Sequence, residues 1–385
     1  MTASGGSSSA GASSGAAGAA PSTRTVVAKI GSSSLTGADG AVDGAAVERL
    51  CGEVAELRGL GHSVVLVSSG AIAAGWAALS GGPRPTDPAT LQAVSAVGQH
   101  RLMRVYDDAF AVHGVSVGQV LLAPLDFVHR QQYLHARQTL ARLIELGVLP
   151  VVNENDATSD DEIRFGDNDR LAALVAHLVA ADLLVLLTDT AGLLTADPRT
   201  TDEASLIEEV VEVDHRLEMI AGGTGSEIGS GGMTSKLAAA KIAAWSGVET
   251  VIADAGRPGV VQAALAGEPG IGTVFRPRPR RLPARKLWIA FAVASAGTLV
   301  VDEGARRAVV EGEASLLPAG VVTVSGRFDT EAAVEIAGPD GVVFAKGLVR
   351  HPAERIKSWA GRRTSDLPDG VAHEIVHRDD LVVLA

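Results

Sequence analysis

The sequence predicts an α/β fold with a mostly parallel sheet covered on both faces, followed by a small β-rich domain. Three observations predict it. Short β-branched runs alternate with Ala/Leu-rich stretches over the first 275 residues, the order that builds a parallel sheet through crossover helices. Most strand candidates are apolar at nearly every position, as strands buried on both faces are. Composition changes near Phe275, and the segments beyond it are short, strand-like and separated by turns such as Pro339-Asp-Gly.

In chain order, the β-branched runs give strands at 25–30, 63–68, 115–122, 148–153, 182–187 and 250–253. The Ala/Leu-rich stretches between them give helices at 45–60, 90–113, 133–146, 169–180 and 234–246. Prolines at 277, 279 and 283 forbid helix and favour an extended linker over 276–284. Further strands follow at 286–291, 298–301, 321–325, 333–336, 342–348 and 381–384. The expected domains are therefore 23–275 and 285–385, behind a Ser/Gly/Ala tail at 1–22 that reads as disordered.

Composition narrows the function. Of the 385 residues 46% are hydrophobic but only 3% aromatic, so Ala, Val, Leu and Ile must fill the interior. A net charge of −12 disfavours nucleic acid and anionic membranes as general partners. The second domain, with 12 Lys and Arg against 14 Asp and Glu, gives RNA binding only weak support despite the arginines at 276–281. The single cysteine, Cys51, excludes an internal disulfide and reads as a packed thiol. No run of about 20 apolar residues is present, and the tail lacks the basic start and apolar core of a secretory signal, so a cytoplasmic protein is expected.

Five polar motifs lie in fixed order: Val-Ala-Lys29-Ile-Gly-Ser-Ser, Val-Ser-Ser69-Gly-Ala, Asn153-Glu-Asn-Asp156, Gly166-Asp-Asn-Asp169 and Gly231-Gly-Met-Thr-Ser-Lys236. Lys29, Ser69, Asn153 and Thr188 sit at or just past strand ends, where ligands bind in open α/β sheets. Gly31 and the serines after it can offer N–H groups and hydroxyls to phosphate. No Gly-x-x-x-x-Gly-Lys-Ser/Thr motif supports a P-loop. Ser69 is no nucleophile elbow, since Val67 and Ala71 occupy the two glycine positions. Asp and Asn at a helix start are ordinary caps, but Asp167, Asn168 and Asp169 follow a second polar cluster and exceed what one cap needs. Lys236 falls in a first helical turn, which the dipole disfavours unless the lysine meets an anion.

Together these motifs resemble the amino acid kinase family, and within it the glutamate 5-kinase branch, from about Thr25 to Phe275, with a C-terminal part similar to a PUA domain. The resemblance implies a three-layer αβα kinase domain that phosphorylates the γ-carboxylate of L-glutamate with ATP and Mg²⁺, as the first step of proline synthesis. It implies that Lys29 and Lys236 act on the phosphates, with Asp169 organising them. Ser69, Asp156 and Asn168 would bind glutamate. Thr188 and Asp189 would border the nucleotide together with Ser230, Gly231, Gly232, Met233, Thr234, Ser235 and Lys236. It also implies inhibition by proline, a reductase that takes the acyl phosphate, and a homo-oligomer. The family loop Gly-Thr-Gly-Gly-Met reads Gly229-Ser230-Gly-Gly-Met here, which keeps the hydroxyl. The acceptor carboxylate, with an ordinary pKa of about 4.3, is already ionised and needs no general base.

Overall fold

The computed structural model describes residues 1, 23–37, 42–79, 85–123, 125–158, 168–196, 201, 203–221, 232–279, 281–291, 293–368 and 372–384. The expected tail at 2–22, Gly166, Asp167, Ser230 and Gly231 lie outside the described residues.

The chain opens with β1 (Thr25–Ile30), α1 (Gly44–Gly59), β2 (Ser63–Ser68), α2 (Ala71–Leu79), α3 (Pro88–Ala111) and β3 (Val117–Leu122). Then come α4 (Leu125–Val128), α5 (Arg130–Glu145), β4 (Leu149–Glu154), α6 (Asn168–Leu178) and β5 (Leu183–Thr188). The domain closes with β6 (Glu209–Val210), α7 (His215–Ala221), α8 (Met233–Trp245), β7 (Glu249–Asp254), α9 (Val260–Ala266) and β8 (Gly272–Phe275). Side-chain caps fix two of the long helices. Asp43 accepts from the N–H groups of Ala45 and Ala46 at the start of α1, and Asp87 accepts from that of Thr90 ahead of α3, where Pro88 fills the first position.

These strands form one sheet in the order β3-β4-β2-β1-β5-β7-β8-β6. From β3 to β7 all neighbours are parallel; β8 runs antiparallel to β7. The two-residue β6 and the four-residue β8 were not among the expected strands, because neither is long enough to carry a hydrophobic period. One face packs on α5, α6 and α8 through residues such as Val27, Val152, Leu174 and Ala240. The other packs on α1, α3 and α9 through Val26, Leu66, Tyr106 and Val261. Cys51 is buried in this second layer, and burial pushes its thiol up to about 12, so it packs as an inert side chain.

The remaining elements are α10 (Ala284–Phe291), β9 (Gly297–Val301), α11 (Glu303–Gly312), β10 (Val321–Gly326), β11 (Ala333–Ala337), β12 (Val343–Val349), α12 (Ala353–Trp359) and β13 (Val376–Val383). A second sheet runs β10-β9-β11-β12-β13, antiparallel except between β9 and β11. One expected strand is corrected: 286–291 is helical. Pro283 stands immediately before it, and Ile289 and Ala290 bury against Ala333, Leu348 and Val382. A short apolar run carries no period that separates strand from helix, so its packing decides.

Residues 276–279 and 281–283 form no helix or strand, but their arginines are tied to the first domain. Arg276 pairs with Glu209 at 2.5 Å and Glu249 at 2.7 Å. Arg278 pairs with Glu212 and lies over the Trp245 ring, 4.0 Å from its centroid.

Candidate active site

Strand alternation places the first lysine. Along β1, Val26 and Ala28 face the α1/α3/α9 layer and Val27 faces the α6/α8 layer. Lys29 falls two residues after Val27 and therefore on the α6/α8 side. There it meets Asp169 in the first turn of α6, with Lys29 Nζ 2.5 Å from Asp169 Oδ1. Lys236, in the first turn of α8, places its Nζ 3.2 Å from Asp169 Oδ2. Ser235 Oγ donates to the same oxygen at 2.8 Å. The three charged side chains are almost closed to solvent, at 2%, 0% and 4% exposed for Lys29, Asp169 and Lys236. Burial alone would raise the Asp169 carboxyl, but the Lys29 and Lys236 charges, with hydrogen bonds from Lys29 and Ser235, outweigh it and hold it below the ordinary carboxylate range. Two ammonium groups thus share one ionised carboxylate. The backbone at Gly31 passes close by: a Cβ there would stand 3.6 Å from Lys29 Nζ.

Beside this clamp lies a cluster of amides. Asn153, near the end of β4, faces the α3 layer by the same alternation and donates from Nδ2 to Gln99 Oε1 at 2.8 Å. Its Oδ1 accepts from Asn168 Nδ2 at 2.9 Å. Asn168 Nδ2 also donates to Ser69 Oγ at 2.9 Å. Ser69 follows β2, and Gly70 after it takes φ +105°, a conformation that favours glycine. Ser68 Oγ and Tyr106 Oη, 2.8 Å apart, tie the end of β2 to α3.

The structure brings Lys29, Asp169, Ser235 and Lys236 into one group and Ser69 and Asn168 into the adjoining one. Asp156 is half-buried in the turn after β4. Thr188 ends β5 and is buried, and its Oγ1 donates to Asp189 Oδ1 at 3.1 Å, with Asp189 exposed. Gly232 precedes α8 without a side-chain cap. Met233 is half-buried, and the exposed Thr234 donates to the Ala221 carbonyl. Sequence reasoning missed Gln99 and read Asn153 only as part of a ligand-facing polar cluster at a strand end. Gln99 shares the buried face of α3 with Ser95, Leu102 and Tyr106, and an amide in an apolar stripe of spacing four, three and four is the signal that could have exposed it.

Lys29, Ser69, Asn153 and Thr188 all stand at the carboxyl edge of parallel strands, around a buried two-lysine clamp. That fold sets the two lysines where open α/β enzymes bind their ligands, in a sequence without a P-loop. The profile of the amino acid kinase family matches residues 24–254, and that of the PUA domain residues 297–371. A glutamate 5-kinase of Pelobacter propionicus is 45% identical over 365 residues, covering 94% of this chain and 98% of that protein. One from Bifidobacterium adolescentis is 47% identical, covering 94% and 96%. Among solved structures, carbamate kinase from Giardia lamblia bound to AMP-PNP superposes with a TM-score of 0.48 at 18% identity, over 67% of this chain and all of that one. The chain belongs to the amino acid kinase family, in its glutamate 5-kinase branch. Among the described residues, no helix is long and apolar enough to cross a membrane.

Proposed function

We propose that this protein transfers the terminal phosphoryl group of ATP to the γ-carboxylate of L-glutamate, giving L-glutamyl 5-phosphate for proline biosynthesis. The observation that carries the reading is the Lys29–Asp169–Lys236 clamp set against the Ser69–Asn168–Asn153 amide cluster. An ionised carboxylate must approach a polyanion, so the chief barrier is repulsion. Two lysines locked by one buried carboxylate supply fixed positive charge where charge spreads in the transition state, with no reorganisation at the moment of transfer. Asp169 acts as the organiser, and Ser69, Asp156 and Asn168 hold the acceptor. Thr188, Asp189 and the segment 230–236 border the nucleotide.

The residues fit Mg²⁺ that travels on the nucleotide. Among the described residues no three His, Cys, Asp or Glu side chains gather into a metal site, and Asp169 is already engaged by two ammonium groups and a hydroxyl. When bound beside Lys29 and Lys236, the ion would neutralise part of the phosphate charge. Inhibition by proline, hand-over of the acyl phosphate to a reductase, a homo-oligomeric state and a cytoplasmic location complete the proposal.

The test is to incubate the protein with ATP, Mg²⁺ and hydroxylamine, offering L-glutamate, L-aspartate and N-acetyl-L-glutamate separately. Hydroxylamine converts acyl phosphates to hydroxamates. Hydroxamate from glutamate alone is the expected result. Signal from another acceptor would overturn the substrate, and none from any would overturn the reaction.

A further inference from the structure

Gln99 lies outside the five motifs, yet it ends the chain of amides that leads to the acceptor side of the clamp. Which atom of each amide faces which neighbour is fixed here by a backbone group that can only donate. The Glu154 N–H reaches Asn153 Oδ1 at 2.9 Å and Asn168 Oδ1 at 3.1 Å. Both receiving atoms must therefore be oxygens. The nitrogen of Asn153 is then the atom that meets Gln99, and it requires an oxygen there. The nitrogen of Asn168 is the atom that meets Asn153 Oδ1 and Ser69 Oγ. One lone pair of Ser69 Oγ is thus taken by Asn168, and its own proton is left to donate. Among the described residues that hydroxyl donates to no protein group.

We infer that Gln99 is a positioning residue for acceptor recognition: by taking the Asn153 nitrogen it anchors the Asn153–Asn168 amide chain, oriented by the Glu154 N–H, that holds the Ser69 hydroxyl where its proton can meet a carboxylate oxygen of the substrate. The inference rests on the proposed carboxylate kinase reaction. Position matters because the bond accepted from Asn168 restricts where the Ser69 proton can point, a restriction that an unanchored hydroxyl does not share. Two further observations support it. Gln99 is only 8% exposed, and its Nε2 has no partner among the described residues. A buried amide is costly to keep where an apolar residue would pack, unless its oxygen is needed. The backbone is also built to bring it there. A Cβ at Gly98 would lie 1.7 Å from the Ala71 carbonyl oxygen, so α3 touches the backbone of α2 immediately beside Gln99.

The test compares the parent with Gln99→Met, which keeps length but removes the acceptor oxygen, and Gln99→Glu, which keeps an oxygen for Asn153. KM is measured for ATP and for whichever amino acid the parent phosphorylates, with Tm recorded for each protein. A parent that uses an acceptor other than glutamate fails the functional reading, and the Gln99 comparison is then made on that acceptor. Gln99→Met is expected to raise the acceptor KM about tenfold, the loss of one hydrogen bond's worth of positioning, and to leave the ATP KM within about twofold. Gln99→Glu is expected to stay within about threefold of the parent in both. An unchanged acceptor KM in Gln99→Met overturns the inference. So does equal damage in both variants, which would assign the effect to the Gln99 nitrogen. A parallel rise in both KM values with a lowered Tm would reduce Gln99 to a packing residue.

Discussion

The Lys29 ammonium stands 2.5 Å from the Asp169 carboxylate, and neither side chain is open to solvent. A buried pair of this kind is a poor source of stability, because desolvation offsets much of the attraction. Its value is geometric: it holds a flexible lysine in one place ahead of the substrate. The same carboxylate holds Lys236, so a single substitution at Asp169 releases both.

Asp169→Asn is therefore expected to lower kcat by at least about a hundredfold, the order seen when a fixed electrostatic contact is lost. It also carries a pH signature. The folded carboxyl is held below its ordinary value, so its contribution to stability is present above the unfolded pKa of about 3.9 and is lost as pH falls through the folded one. The Tm gap between parent and variant should narrow as the solution is acidified below about pH 4. A gap independent of pH would contradict the assignment.

Lys236→Ala should lower kcat more than it raises KM, since the clamp acts on charge that develops in the transition state. Steady-state kinetics at saturating ATP read this directly. Unchanged turnover would remove Lys236 from the mechanism.

Gly98→Ala places a methyl group on the Ala71 carbonyl oxygen. Because backbone must move rather than a side chain tip, the cost should reach about 3 kcal/mol, the upper part of the range for overpacking. The expected outcome is a Tm lower by several degrees together with a raised acceptor KM, as α3 carries Gln99. A variant as stable as the parent would contradict the close helix contact.

Burial, reinforced by the charges of Arg281 and Arg137, brings the His177 imidazole down to about 4. Unfolded, it titrates at about 6.5. The unfolded chain then binds more protons between the two values, so stability falls as pH drops through that window. His177 should account for about 1.5 kcal/mol lost between pH 6.5 and 5. Denaturant melts of His177→Gln should lose that much less over the same interval; equal losses would contradict it.

Much of this was legible from sequence because long parallel strands and their helices carry strong periods. The strands at β1, β2 and β5 and the helices α1 and α8 were expected to within a residue at each end. Lys29, Ser69 and Asp169 stand out because polar residues at the ends of apolar runs are conspicuous. Elements too short for a period were not legible: β6, β8 and the helical stretch at 286–291 depend on packing partners distant in sequence. Gln99 was missed for a related reason. It is one of several polar residues in a long helix, and only the approach of Asn153, 54 residues away, gives it a role.

The most direct measurement uses L-glutamate labelled with ¹⁸O in its γ-carboxylate, incubated with ATP, Mg²⁺ and hydroxylamine. If the carboxylate attacks the terminal phosphorus, one of its oxygens becomes the bridge of the acyl phosphate. Hydroxylamine then attacks the carbonyl carbon and expels phosphate with that oxygen attached. One ¹⁸O is expected in each orthophosphate released, matched by γ-glutamyl hydroxamate. Orthophosphate without label would mean that water is the acceptor, and would contradict the assignment of the site to a carboxylate kinase.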